Sequence, residues 1–185
     1  AYLLQTFFLN RRFAMIKAAM QEDNNILDRS IYEDEIFMKM NTEMGNATEV
    51  EYDIYKSLLS NMMEELPFAS HKKSPDLMIT IKVSYDTMLK RIEKRGRDYE
   101  LVERDPSLVE YYQRLLRHYA VWMEEYDSSP LLIIDGDKYD FVGSVADRIA
   151  VLEQVEEKLY ELNKISKEQL DELKKQHLEL LNEVG

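Results

Sequence analysis

Three arginines, Arg91, Arg95 and Arg97, fall within the heptapeptide Arg91-Ile92-Glu93-Lys94-Arg95-Gly96-Arg97 of a chain whose formal net charge is -12. Basic residues number 24 against 36 acidic ones, so concentrating them here needs a local reason. Arg91 and Arg95 share one helix face. Gly96 then frees the backbone to turn Arg97 back toward the same point. Converging guanidiniums at a helix C-terminus offer planar forks of donors to phosphoryl oxygens, which suits a polyphosphate. A basic last turn complementing the helix dipole is the plainer alternative. It accounts for one or two cations more comfortably than for three plus Lys94.

A second candidate is Asp28-Arg29-Ser30. Asp28 could hold magnesium, directly or through water, or polarise a hydroxyl, and Arg29 could clamp a phosphate. A surface ion pair followed by a serine cap is the bland alternative. What favours chemistry is position, and position depends on the elements around the tripeptide.

Those elements alternate between helices and short strands. Leu4, Phe7, Phe8 and Met15 mark a helix from Tyr2 to about Gln21, ended by Asn24-Asn25. Ile26-Leu27 reads as a short strand running into Asp28. Helices follow over about 31–44 and 48–66, the latter with Thr48 as N-cap and Tyr52, Tyr55, Leu58, Leu59 and Met62 at helical spacing. Pro67 and the stretch from Ser70 to Pro75 end it in a loop. Leu77 to Val83 is strand-like, and Ser84 caps the helix that carries the arginines. Asp105-Pro106-Ser107 starts a helix through about Tyr126, and Leu131 to Ile134 is a third strand. Ser144 to about Val184 is helical, with a break near Asn163. Such alternation predicts an α/β fold with a parallel sheet. In that architecture ligands gather at the carboxyl ends of strands. Asp28-Arg29-Ser30, the segment from Ser84 and the loop after Ile134 then share one edge.

The chain has 185 residues, about one domain, with about 164–185 as a C-terminal helical extension. It has no cysteine, which excludes disulfides and thiolate-bound metals and favours a cytoplasmic site. His71, His118 and His177 have no metal-ligand spacing. No apolar run approaches membrane-spanning length, and there is no signal-peptide pattern. The acidic balance opposes a nucleic-acid polymer as partner, but not a small anion in a local basic pocket.

Four segments, in order, resemble the deoxynucleoside kinase family. They are Gln5 to Arg12, Asp28-Arg29-Ser30-Ile31-Tyr32-Glu33-Asp34, Lys90 to Arg97, and Asp135-Gly136-Asp137-Lys138-Tyr139-Asp140-Phe141. The nearest look is to bacterial deoxyadenosine/deoxyguanosine kinases, over about residues 2–160. The resemblance implies a three-layer P-loop kinase-like fold, and transfer of the γ-phosphoryl of ATP to the 5′-hydroxyl of a purine deoxynucleoside with Mg2+. It implies that Gln5, Arg12 and Asp34 read the base, a set whose amide, cation and carboxylate suit a purine edge. It further implies that Asp28 sits beside magnesium and the 5′-hydroxyl, and that Arg29 contacts the reacting oxygens. By the same resemblance, Arg91, Arg95 and Arg97 would form a lid on the triphosphate, and Glu100 would hold the sugar 3′-hydroxyl. Lys138, Tyr139, Asp140 and Phe141 would lie in the loop that packs on the donor base. A dimer is also implied, with itself or with a similar subunit, through the helices at about 48–66 and 144–160, which are rich in Tyr, Leu and Met.

Two departures stand out. Met38 occupies a position where many family members carry an aromatic that stacks on the substrate base; Phe37 or the Met38 sulfur is the available substitute. The glycines fall only at 45, 96, 136, 143 and 185, so there is no Gly-rich phosphate loop ending in Lys-Ser/Thr. The sequence thus reads as a kinase lacking its N-terminal strand and phosphate loop, and inactive by itself. A non-catalytic helical interaction protein is the alternative, with its ten methionines and with Leu170, Leu173, Leu178 and Leu181 available for partner-helix packing.

Overall fold

The computed structural model describes residues 1–21, 23–69 and 74–184. Among them are seven α-helices and two β-strands, forming two compact units. One unit comprises residues 1–74 and 106–126, and the other residues 75–105 and 127–185.

The first unit is helical. It contains α1 (Tyr2–Ala19), α2 (Asp34–Glu43), α3 (Glu49–Ala69) and α5 (Ser107–Glu125). Leu9, Ile16, Ile31, Met38 and Tyr55 form its buried cluster, with Phe13, Tyr52, Leu58, Leu59 and Met62 packed against it. The start of α3 is fixed by a capping box. The Glu51 N–H donates to Thr48 Oγ1 at 3.2 Å, and the Thr48 N–H donates back to Glu51 Oε2 at 2.7 Å. On the outer surface of α3, Val50 and Ile54 are exposed. An aromatic run links Phe37, Tyr119, Trp122, Tyr126 and Tyr32, with ring centroids 5.0–6.3 Å apart. The Trp122 indole donates to the Tyr32 carbonyl at 3.0 Å.

The second unit holds the sheet. Strands β1 (Met78–Lys82) and β2 (Leu131–Asp135) pair in parallel, Met78 opposite Leu131 and Lys82 opposite Asp135. Helix α4 (Tyr85–Arg95) follows β1, and α6 (Val145–Glu161) follows the loop after β2. Helix α7 (Lys167–Val184) lies against α6, with Leu170 and His177 buried. Ser84, Ser144 and Ser166 each accept from the N–H three residues on, which fixes the starts of α4, α6 and α7.

Two expectations are corrected, and a third element, α1, forms as expected with a different face inward. Ile26-Leu27 is not a strand: its backbone is irregular, and Ile26 is 98% exposed. Two adjacent apolar residues without a paired neighbour cannot supply a ladder, and none is formed. Helix α3 continues past Pro67 to Ala69, because a proline removes the bond to the carbonyl four residues back and leaves the next residues free to stay helical. Helix α1 is turned opposite to its apolar marks. Leu4, Phe7, Phe8 and Met15 are exposed, while Gln5, Leu9 and Ile16 face inward. A helix apolar around most of its circumference does not announce its inner face. Of the loop expected from Ser70 to Pro75, residues 70–73, including His71, lie outside the described residues.

Candidate active site

In the first unit the polar residues of α1 and α2 meet inside the protein. Gln5, Leu9, Arg12 and Ile16 recur at helical spacing, so the turn that buries Leu9 and Ile16 also carries Gln5 and Arg12 inward. Gln5 is 9% exposed. From α2, Asp34 presents a carboxylate with no exposed surface, ion-paired to the Arg12 guanidinium. Its Oδ2 is buried without a hydrogen-bond donor among the described residues. Burial lowers the Arg12 pKa, and the positive charge of Arg29 lowers it further. Burial likewise raises the carboxyl of the neighbouring Glu33, against the pull of Arg29 and Arg12. The result is a buried cation–carboxylate pair with acceptor capacity left over among the described residues, and Gln5 buried on the face of α1 that carries Arg12. Charges taken out of water at such cost are ordinarily matched by further hydrogen bonds.

Asp28 and Arg29 lie on an exposed irregular segment leading into α2, not at a strand end. Arg29 is left-handed, φ 68°, and its guanidinium lies 5.5 Å from the Phe37 ring centre. A non-glycine residue held at positive φ is a mark of a constrained segment. Met38 belongs to the core. It has no exposed surface and packs with Leu9, Ile31 and Tyr55, whereas Phe37 joins the aromatic run. Among the described residues no three carboxylates or imidazoles gather to hold a metal. Asp28 alone suits an ion that keeps its waters and takes its other ligands from phosphate, as Mg2+ does.

In the second unit the arginines of α4 take two different places. Gly96 adopts φ 70° and donates to the Ile92 carbonyl, ending the helix as its sequence predicts. Arg95 and Arg97 then converge on one partner, Glu100. Arg95 Nη2 donates to Oε2 at 2.5 Å and Arg97 Nη1 to Oε1 at 3.4 Å. Both arginine side chains remain about half exposed. Arg91 instead points back along the helix. Its Nη2 donates to the carbonyls of Gly136 at 2.6 Å and Tyr139 at 3.1 Å, and the guanidinium lies 5.7 Å from the Phe141 ring centre. The expectation that all three arginines turn toward one point holds for Arg95 and Arg97 only. Lys138 lies over Tyr139, 4.7 Å from the ring centre. The Asp140 carboxylate accepts the Gly143 N–H, which holds it below its usual range.

The sequence reading missed Asp137. Its carboxylate accepts the Ser84 N–H at 3.0 Å and the Ser84 hydroxyl at 3.1 Å, which ties the loop after β2 to the start of α4. The signal was present, since a second acid within Asp135-Gly136-Asp137 lies near a helix start only if the two strands are neighbours. That adjacency is tertiary.

The family model described as deoxynucleoside kinase matches residues 1–161. The chain belongs to the deoxynucleoside kinase family. It is 57% identical over 165 residues to a deoxyguanosine kinase of Lactobacillus acidophilus, covering 89% of this chain and 72% of that protein. It is 50% identical over 164 residues to a deoxyadenosine kinase of the same species, covering 89% and 76%. Among solved structures, the deoxyadenosine kinase from M. mycoides with bound dCTP is similar, with a TM-score of 0.60 and 27% identity, covering 89% of this chain and 74% of that one. The same kinase with bound dATP gives a TM-score of 0.59 and 28% identity, covering 88% and 74%. The α/β architecture is thus that of a P-loop kinase-like fold, and the family member described here is a nucleoside kinase, a phosphotransferase that draws on a nucleotide triphosphate.

Proposed function

We propose that this kinase transfers the γ-phosphoryl of ATP to the 5′-hydroxyl of a purine deoxynucleoside, deoxyguanosine or deoxyadenosine. The observation that carries the reading is the buried Asp34 carboxylate, paired with Arg12 and left with an unmatched acceptor oxygen. A guanine edge offers N–H donors to such an oxygen, and its O6 and N7 accept from a guanidinium; adenine offers its N6 amino group, and Gln5 serves either. The names of the two Lactobacillus relatives support the same substrates.

On the donor side, Arg95 and Arg97 are the cations for the triphosphate, with Lys138, Tyr139, Asp140 and Phe141 toward the donor base. Phosphoryl transfer is mainly positioning and charge stabilisation, so mobile guanidiniums are suitable groups. Arg29 contacts the reacting oxygens, and Asp28, directly or through water, holds a Mg2+ that would neutralise charge on the phosphates. Glu100 holds the sugar 3′-hydroxyl. In exchanging Arg95 and Arg97 for sugar it releases both guanidiniums to phosphate. A dimer completes the reading, with a second copy meeting the exposed Val50 and Ile54 of α3.

Residues 1–185 hold no Gly-rich phosphate loop ending in Lys-Ser/Thr. The test is a chimera that adds the portions of the L. acidophilus deoxyguanosine kinase outside the matched region. With ATP and Mg2+ it should phosphorylate deoxyguanosine or deoxyadenosine, and calorimetry should show both binding the 185-residue chain. Preferred phosphorylation of thymidine would overturn the assignment.

A further inference from the structure

The loop that follows β2 is fastened to α4 at two points. At the start of the helix, Asp137 takes both the N–H and the hydroxyl of Ser84. About two turns on, Arg91 takes the carbonyls of Gly136 and Tyr139 with a single nitrogen and lies over Phe141. The loop is also pinned from beneath. The Gly136 N–H donates to the Lys82 carbonyl at 2.8 Å, and a Cβ at Gly136 would meet the Val83 and Ile81 side chains at 2.6 and 2.9 Å. Within the loop, Asp135 accepts the N–H groups of Asp137 and Lys138, and Asp147 accepts that of Asp140. Beyond Arg91 the attachments cease to be of this kind. Arg95 and Arg97 flank the left-handed Gly96 and bond to Glu100.

From this division we propose that Arg91 is a positioning residue, a strut that holds the 135–141 loop in shape for the donor base, and that it keeps its carbonyl contacts when triphosphate binds. Movement on nucleotide binding is then confined to the segment from Arg95 to Glu100, hinged at Gly96. A guanidinium suits this place because its planar face can lie along the ring while one of its nitrogens donates to both carbonyls, a fixed geometry that a flexible ammonium holds less well. The proposal rests on the donor-side reading given above, but its first test does not need catalysis.

That test is hydrogen exchange on the 185-residue chain, with Arg91→Ala, Arg91→Lys and Arg95→Ala compared. Arg91→Ala should speed exchange across 135–143 by roughly tenfold, while α6 and α7 keep their rates and report that the unit is folded. Arg91→Lys should restore only part of the protection, and Arg95→Ala should leave the loop unchanged. Adding ATP should leave the loop of the unsubstituted chain as protected as before, or more so. A loop indifferent to Arg91→Ala, or one that loosens when ATP is added, overturns the strut. In the chimera, Arg91→Ala should raise KM for ATP by about tenfold with kcat within about twofold, and Arg95→Ala should act mainly on kcat. The reverse split overturns the assignment. A chimera without kinase activity would count against the donor-side reading, while the exchange result would still decide the strut.

Discussion

Arg12 and Asp34 form a buried ion pair in which the carboxylate has no exposed surface and the guanidinium side chain only 12%. Each was brought there by a helix whose apolar residues face the same core. Removing one partner of such a pair leaves the other charged and unmatched, at a cost of about 3–5 kcal/mol. Asp34→Ala is therefore expected to lower the melting temperature by far more than Asp34→Asn, which keeps a hydrogen-bond acceptor. Equal effects of the two would show that the lost charge accounts for the whole cost and that the neutral acceptor of Asn contributes nothing.

The same pair should set base preference. Thymine has no exocyclic amino group for Asp34, and leaving a buried acceptor unmatched costs about 1–3 kcal/mol, so at least about tenfold discrimination against thymidine is expected. Competition among the four deoxynucleosides, in the chimera, measures it. Asp34→Asn should relax the preference.

Arg95 and Arg97 share Glu100, and both are exposed enough to exchange it for phosphate. In the chimera, alanine at either position should cost roughly 2 kcal/mol or more of transition-state stabilisation, with base preference unchanged. Turnover near that of the unsubstituted chimera would remove both residues from the lid.

Glu43, at the end of α2, meets two groups of α5: Arg114 at 3.0 Å and His118 Nε2 at 2.9 Å. Partial burial opposes its charge, but these two contacts prevail and hold its pKa below the ordinary 4.5. A depressed folded-state pKa contributes stability above the unfolded value and loses it as pH falls through the folded one. The melting temperature should thus decline as pH drops below about 4.5, and Glu43→Gln should shallow that decline. An unchanged acid slope would count against the contacts.

Glu156, on α6, behaves in the opposite sense. Burial raises its pKa despite His177 at 3.3 Å, and its Oε2 is buried without a donor among the described residues. A carboxyl with a raised folded-state pKa favours folding while protonated, and the benefit is lost as pH rises through that value. Glu156→Gln should therefore raise the melting temperature at pH 7 by on the order of a degree or two, the gain disappearing in acid. A lower melting temperature at pH 7 would mean that His177 more than offsets the burial.

Much of this was determined by the sequence alone, because it is local. The capping box at Thr48 and Glu51, the serine caps, and the left-handed stop at Gly96 depend on residues within a turn of one another, and each formed where its spacing placed it. The parallel strands at Met78–Lys82 and Leu131–Asp135 followed from apolar runs between helices, and the ordered motifs pointed to the family. What only the tertiary structure decided is which neighbours those elements receive. Apolar residues lie around most of α1, so its sequence could not choose between a face with Phe7 and one with Gln5. Packing against α2 and α3 made the choice, and sent Arg12 inward to Asp34. Met38 reads like any helical methionine until the core closes around it. Arg91 and Arg95 share a face and a chemistry in the sequence, yet the β1–β2 pairing brings the loop carbonyls within reach of one and not the other. Contacts between residues 45 or 53 positions apart follow from that pairing, and no local spacing encodes them.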